Sequence, residues 1–166
     1  MNHLKQALEE SHKDLHQWFL MHQECLLLGH DAHSQCAFSV FTEILETHLH
    51  FENEYLLKHT LTGRWPLKVY VKEHDKLLQL LAKIAKRLES FYQLQGRLKR
   101  LALLEILDQE NVFLHVMEHH EEREEQDLFL QLPDDKNLYQ HWLHCEKALQ
   151  RFADDKAMLK EFLSVS

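Results

Sequence analysis

The chain has 166 residues and a net charge of −8 with histidine counted as neutral, from 19 Lys and Arg against 27 Asp and Glu. This acidic balance argues against a nucleic-acid or anionic-membrane surface, because both need concentrated positive charge. A chain of this length is most simply one domain, residues 1–166, that buries a real core. Three glycines and two prolines are few, which favours long helices joined by short loops.

The cysteines and the N-terminus bear on the compartment. Cys25, Cys36 and Cys145 are an odd number without CxxC spacing, which fits free thiols in a reducing compartment better than a disulfide framework. The first residues show no signal-peptide pattern, and no apolar run approaches membrane length. We therefore expect a cytoplasmic protein with no membrane partner.

Apolar residues recur at helical spacing along the chain, with no strand-like alternation. The pattern predicts helices over about residues 2–28, 34–59, 67–93, 98–132 and 137–164. Residues 29–33 form the first predicted loop, and the segment 60–66, which contains Gly63 and Pro66, is the clearest break. Short connections predict an all-α fold: an up-down-up-down four-helix bundle over residues 1–132, with an additional C-terminal helix over 137–164 that caps the bundle or forms a homodimer face.

Two of these helices carry a histidine and a glutamate four residues apart, followed four residues later by an apolar pair. The segments are His48-Leu-His-Phe-Glu52 and His120-Glu-Glu-Arg-Glu124. Residues four apart share one face of a helix, so the histidine and the carboxylate can reach one metal ion. In an up-down-up-down bundle the second and fourth helices run in the same direction, and the two motifs are expected to face each other.

Helical phase selects between overlapping candidates on the second helix. His48 and Glu52 share the apolar stripe of Phe41, whereas His50 and Glu54 lie among polar residues. We prefer His48 and Glu52, and the pair His50 and Glu54 stays an alternative.

Phase also selects histidines on the first and third helices. His12 lies between Leu8 and Leu15 on the predicted core side of the first helix, while His16 is a second choice and His22 stays open as another core-facing histidine. On the third helix, His74 continues the predicted line of Val71, Leu78 and Leu81.

On the fourth helix, His120 and Glu124 continue the apolar line of Phe113 and Met117. An apolar stripe interrupted by a histidine and a glutamate is informative, because a buried carboxylate needs a cation or a proton. His115 and His119 lie on the polar side of the same helix, which we interpret as facing solvent.

The inward set then has one histidine from each bundle helix and two glutamates: His12, His48, Glu52, His74, His120 and Glu124. Imidazole and carboxylate ligands suit iron, manganese or zinc. Six protein ligands are too many for one tetrahedral zinc ion, but they suit two octahedral ions. The set therefore predicts a dinuclear metal site.

At these residues the chain resembles the hemerythrin-like, or HHE cation-binding, family over about residues 4–132. The resemblance implies two iron ions in an oxo- or hydroxo-bridged non-haem centre, with Glu52 and Glu124 as bridging carboxylates; manganese and zinc stay open as other metals. The chain also departs from the oxygen-carrying members. They have a second histidine where this chain has Leu78, and their last motif is His-x4-Asp rather than His-x3-Glu.

The resemblance implies binding or sensing of dioxygen, or of a related diatomic ligand, at an open iron position. One alternative is an iron-handling or redox enzyme that turns over peroxide or nitric oxide or repairs iron sites. Another is a helical interaction module with a vestigial metal site. A ferritin-like di-iron protein needs two Glu-x-x-His motifs, and Glu9-Glu-Ser-His12 alone matches.

Overall fold

The computed structural model describes residues 2–59 and 63–165, and in these ranges all regular structure is helical. The long α-helices are α1 (His3–Leu27), α2 (Asp31–Phe51), α3 (Leu67–Phe91), α4 (Gly96–Gln126), α5 (Lys136–Leu149) and α6 (Ala153–Ser164). Shorter segments are a π-helix (Glu52–Leu56) with a final α-turn (Leu57–His59), and two 3-10 helices (Leu128–Gln131 and Gln150–Phe152). The all-α prediction is confirmed. None of these helices is both long and apolar enough to cross a lipid bilayer.

The chain divides into two compact units. Unit 1 comprises Met1–Trp65 and Glu125–Ser166, and unit 2 comprises Pro66–Glu124. The single domain over residues 1–166 and the four-helix bundle over residues 1–132 stay predictions.

In unit 1, α1 and α2 form an antiparallel hairpin. Side chains pair in reverse order along the two helices, with Phe19 against Phe41 and, nearer the turn, His22 against Ser34. The turn is short because Gly29 adopts φ +74°, which lets the amide of His30 donate to the carbonyl of Cys25 at 2.9 Å. Helix α2 therefore begins at Asp31, earlier than the sequence pattern predicts.

Helix α2 changes character at the first His-x3-Glu motif. From Glu52 to Leu56 it is a π-helix, closed by a bond from the amide of Leu57 to the carbonyl of Glu52. Single-turn π segments inside α-helices are frequent at functional sites. The predicted break at residues 60–66 lies partly outside the described residues, which resume at Gly63.

The C-terminal part of unit 1 differs from the predicted single helix. Two α-helices, α5 and α6, are joined by the 3-10 turn Gln150–Phe152. Trp142 on α5 is buried against Phe51, with ring centroids 5.1 Å apart. On α6, Lys156 donates to Asp14 of α1 at 2.7 Å, and Leu159 is buried. These contacts attach both helices to unit 1.

In unit 2, α3 and α4 also pair in reverse order, since Arg87 lies 3.6 Å from Glu105 and Glu73 lies 3.3 Å from His120. The buried stripe of α3 comprises Tyr70, His74, Leu77, Leu81, Ile84, Leu88 and Phe91. Val71, predicted on this stripe, is instead 42% exposed. The true stripe is thus shifted by one residue at its N-terminal end.

Helix α4 ends before the predicted limit at residue 132. Asp127 has φ −134° and ψ −68°, outside the helical region, and a 3-10 turn follows. The Asp127 carboxylate accepts the backbone amides of Arg64 at 2.9 Å and Trp65 at 3.1 Å, which holds the segment after Gly63 within unit 1.

Candidate metal centre

Unit 1 brings together His12 of α1, His48 of α2 and Glu52 at the start of the π-helix, which we call triad 1. One ligand atom from each lies within 4.8 Å of the others. The Nε2 atoms of His12 and His48 are 3.2 Å apart, and Nε2 of His48 is 3.0 Å from Oε1 of Glu52. All three side chains are at most 3% exposed. Two imidazoles and a carboxylate thus converge on one buried point.

Unit 2 brings together His74 of α3 with His120 and Glu124 of α4, which we call triad 2. Its ligand atoms also lie within 4.8 Å of one another. Oε1 of Glu124 is 3.3 Å from Nε2 of His120 and 3.6 Å from Nε2 of His74. The two rings meet edge to face at 4.7 Å, and all three side chains are buried. The six residues predicted from the sequence therefore form two groups of identical composition.

The outer nitrogen of each histidine in triad 1 contacts a polar side chain. Nδ1 of His48 is 2.9 Å from Oγ of Ser11, and Nδ1 of His12 is 2.9 Å from Oε1 of Glu125. When Nδ1 carries the proton and donates to these oxygens, the lone pair of the ring is on Nε2, which points into the triad. Such partners fix the tautomer and the orientation of metal-binding histidines.

The support of triad 2 includes a carboxylate that is itself paired with a cation. Nδ1 of His120 lies 3.3 Å from Oε2 of Glu73, and the other oxygen of Glu73 lies 3.1 Å from Nη2 of Arg123. Because Arg123 holds Glu73, the orientation of His120 depends on a chain of two electrostatic contacts. The Nε2 atom of His120 again faces the glutamate of its triad.

Aromatic rings surround triad 1. Phe129 stacks on the ring of His12 with centroids 5.5 Å apart, and Trp142 meets the ring of His48 edge to face at 5.6 Å. Phe129 belongs to the apolar pair that follows the second His-x3-Glu motif, and its side chain is buried. These rings exclude water from the histidines, which strengthens electrostatic interactions with any bound cation.

The alternative pair on α2 faces outward. His50 and Glu54 are both exposed. The carboxylate of Glu54 accepts a hydrogen bond from Lys58 at 2.5 Å, and this bond lowers the pKa of Glu54. The choice of His48 and Glu52 by helical phase therefore agrees with their burial.

The alternatives on α1 have other surroundings. His22 is buried, but its Nδ1 lies 3.0 Å from the carbonyl oxygen and 2.9 Å from Oγ of Ser34, beside the hairpin turn. His16 is half-buried. Neither belongs to a triad, while His12 does.

Sequence reasoning missed the residues that support the triads, namely Ser11, Glu73, Arg123 and Glu125. All four directly precede or follow a predicted ligand in the chain, so adjacency was the available signal. It also missed Glu110, which is fully buried on α4 in line with Phe113 and Met117. The position of Glu110 on that apolar line was the signal that could have identified it.

The donor set suits a divalent transition metal. Each triad offers two imidazole nitrogens and one carboxylate, the facial-triad composition of non-haem Fe(II) sites with open positions. Glu52 and Glu124 are both fully buried, and burial of a carboxylate is costly unless a cation or hydrogen bonds offset it. A 2+ ion at each triad would offset that cost. The residues therefore fit the metal that the sequence predicts.

Comparison with known proteins adds no relative. No protein-family model matches the chain, and neither the curated proteins nor the solved structures include a match.

Proposed function

We propose that this chain is a hemerythrin-like non-haem iron protein that binds one iron ion at each triad. Its role in this proposal is to bind or sense dioxygen, or a related diatomic ligand, at an open iron position. The observation that supports it is the pair of matched, buried triads, each with ligand atoms of two histidines and one glutamate within 4.8 Å of one another.

An open position follows from the ligand count. Three protein ligands leave up to about three positions of an octahedral ion for exogenous ligands. On α3, one turn after His74, the half-buried side chain is Leu78, which cannot coordinate a metal. Iron would supply a metal that changes oxidation state, while the chain's own residues orient the imidazoles and exclude water. The family resemblance implies in addition that Glu52 and Glu124 bridge the two ions, which is the alternative to one carboxylate per ion.

We also propose a reducing, cytoplasmic location. Cys25, Cys36 and Cys145 are free thiols, as expected in such a compartment. Burial raises the pKa of Cys25 to about 11, so this thiol stays protonated and unreactive near neutral pH.

Metal content tests the proposal directly. We expect anaerobic loading of the full chain with Fe²⁺ to give about two ions per chain, one per triad.

Reversible oxygen-dependent charge-transfer absorption would support ligand binding, and magnetic coupling between the oxidised ions would support the bridge. Sustained turnover of peroxide or nitric oxide would instead favour the enzyme. A chain that takes up no iron would overturn the proposal in favour of an interaction module, and preferred uptake of zinc or manganese would overturn the choice of metal.

A matched variant pair assigns the metal to the triads. His48→Ala removes a buried ligand, whereas His50→Ala removes an exposed histidine two residues away on the same helix. We expect His48→Ala to lose about one iron per chain and His50→Ala to lose none. Equal iron content in both variants would show that triad 1 is not the site.

A further inference from the structure

A second pair of histidines lies on the exposed side of α4, in unit 2. His115 and His119 are both exposed and one helical turn apart. Their Nε2 atoms approach to 3.2 Å, and their rings meet edge to face with centroids 4.4 Å apart. Neither residue belongs to a triad, so the proposed function leaves this pair unexplained.

The spacing of the two nitrogens matches that of neighbouring ligands on one ion. With metal–nitrogen bonds of about 2.05 Å, two nitrogens are roughly 2.9 Å apart at adjacent octahedral positions and roughly 3.4 Å apart in a tetrahedron. The observed 3.2 Å lies between these values. Without a metal, one ring donates its Nε2–H to Nε2 of the other. To bind an ion through both Nε2 atoms, the donating ring would carry its proton on Nδ1 instead, and both rings would stay neutral.

The acidic side chains around the pair favour a cation. Oε2 of Glu122 is 3.6 Å from Nδ1 of His119, which favours the proton on Nδ1 and the lone pair on Nε2. Glu118 lies three residues after His115, on a neighbouring position of the same exposed face. Both carboxylates add negative charge beside the two nitrogens.

From this geometry we infer that His115 and His119 form a surface chelate for a divalent transition ion of the Cu²⁺, Ni²⁺ or Zn²⁺ type. Two imidazoles hold the ion, and water completes its coordination. Because Fe²⁺ binds nitrogen ligands more weakly than these ions do, a chelate of two imidazoles favours these ions over Fe²⁺.

Calorimetric titration of the full chain with Zn²⁺ tests this inference. The variant His115→Ala/His119→Ala removes the pair, and His50→Ala/His144→Ala removes two exposed histidines of other helices as the matched control. The difference between the two variants isolates the surface chelate, whatever the buried triads bind. We expect the first variant to lose one Zn²⁺ per chain and the control to keep it. Each single replacement should weaken this binding about tenfold or more, because the chelate then loses one of its two ligands.

A residue-level readout identifies the atoms. Zn²⁺ at the surface chelate should protect His115 and His119 together from acylation of their imidazole nitrogens, read by mass spectrometry, while His50 stays reactive. Equal Zn²⁺ stoichiometry and affinity in the wild type and the His115→Ala/His119→Ala variant would overturn the inference. So would an equal loss in the control variant, or protection of His50 to the same extent.

Discussion

The two triads have the same ligands but different supports. In triad 1, a hydroxyl and a carboxylate contact the outer nitrogens of His48 and His12, each at 2.9 Å. In triad 2, the outer nitrogen of His120 lies 3.3 Å from a carboxylate that is itself paired with Arg123. Triad 1 thus has two short contacts, one to a hydroxyl and one to a carboxylate, whereas triad 2 has one longer contact to a carboxylate that Arg123 holds in turn.

This difference separates two ways of preparing a metal site. The hydrogen bond between Ser11 and His48 is buried and involves an uncharged hydroxyl, so salt screens it weakly. The pair of Glu73 and Arg123 is partly exposed, with side chains 22% and 25% accessible, so its contribution is smaller and depends on ionic strength. We therefore expect triad 1 to be the more rigid site and triad 2 the one that responds to conditions.

Removal of one carboxylate should have the largest effect. Glu52→Gln and Glu124→Gln keep the side-chain shape but remove the anionic ligand, each from a different triad. We expect each variant to bind about one iron per chain and the double variant to bind none, because two imidazoles alone hold Fe²⁺ weakly. Metal analysis after anaerobic loading measures this.

The same pair of variants can contradict the description of two separate triads. If either single variant loses both ions, the two sites share ligands, as the family resemblance implies for bridging carboxylates. Unfolding measurements without metal provide the control for folding. The free energy of unfolding of each metal-free variant should be at least that of the metal-free wild type, since each variant loses a buried charge.

A smaller effect is expected from the partners of triad 1. Replacement of outer partners of metal-binding histidines typically lowers metal affinity about 10–100-fold. In a Glu124→Gln background, where triad 1 alone keeps its full ligand set, Glu125→Gln or Ser11→Ala should weaken Fe²⁺ binding by about this factor. Competition with a chelator of known affinity measures the change. Unchanged affinity in both variants would mean that the 2.9 Å contacts do not orient the histidines.

Replacement of the residues that support triad 2 should lower its Fe²⁺ affinity less, and by an amount that depends on salt. In a Glu52→Gln background, Arg123→Met removes the cation that holds Glu73. We expect the Fe²⁺ affinity to fall by less than about tenfold at low salt. Near 1 M salt, where charges are screened beyond about 3 Å, the affinities of the Arg123→Met variant and of the protein that keeps Arg123 should become more similar. The same chelator competition at two salt concentrations tests this. A salt-independent loss would refute the electrostatic role of Arg123.

Helical phase was sufficient to find the buried histidines and glutamates of the triads because each one interrupts an apolar stripe with a polar residue. It placed His48 rather than His50, and His12 rather than His16, on the side where the structure buries them. Phase errs where two neighbouring registers are both apolar, as at Tyr70 and Val71 in α3. Here the structure buries the tyrosine and exposes the valine.

Other features depend on contacts between distant residues. The Ser11 hydroxyl becomes meaningful only when the hairpin brings it to His48, 37 residues away. The end of α4 at Asp127 likewise reflects bonds to the amides of Arg64 and Trp65, which no local pattern predicts. A single-sequence pattern of apolar residues also does not distinguish a π-turn from an α-turn, so the π-helix after Glu52 was not foreseen.

The smallest expected effect comes from the contact between Gly63 and Asp127, which follows the second His-x3-Glu motif in the chain. A Cβ atom at Gly63 would lie 2.1 Å from Nε2 of Gln131 and 2.6 Å from Oδ1 of Asp127. Gly63→Ala therefore has to displace the carboxylate that accepts the amides of Arg64 and Trp65. We expect a loss of about 1–2 kcal/mol in the free energy of unfolding, with iron content unchanged because no triad ligand moves out of reach.

Thermal unfolding measures this loss, and a double variant identifies its cause. Asp127→Asn replaces one accepting oxygen by an amide group and should cost about 1 kcal/mol by itself. If both changes act on the same contact, their effects on the free energy of unfolding will not add in Gly63→Ala/Asp127→Asn. Additive effects would show that Gly63 acts independently of Asp127. A loss of iron from triad 1 alone would show that this segment supports the metal site as well as the fold of unit 1, and would widen the contrast with triad 2.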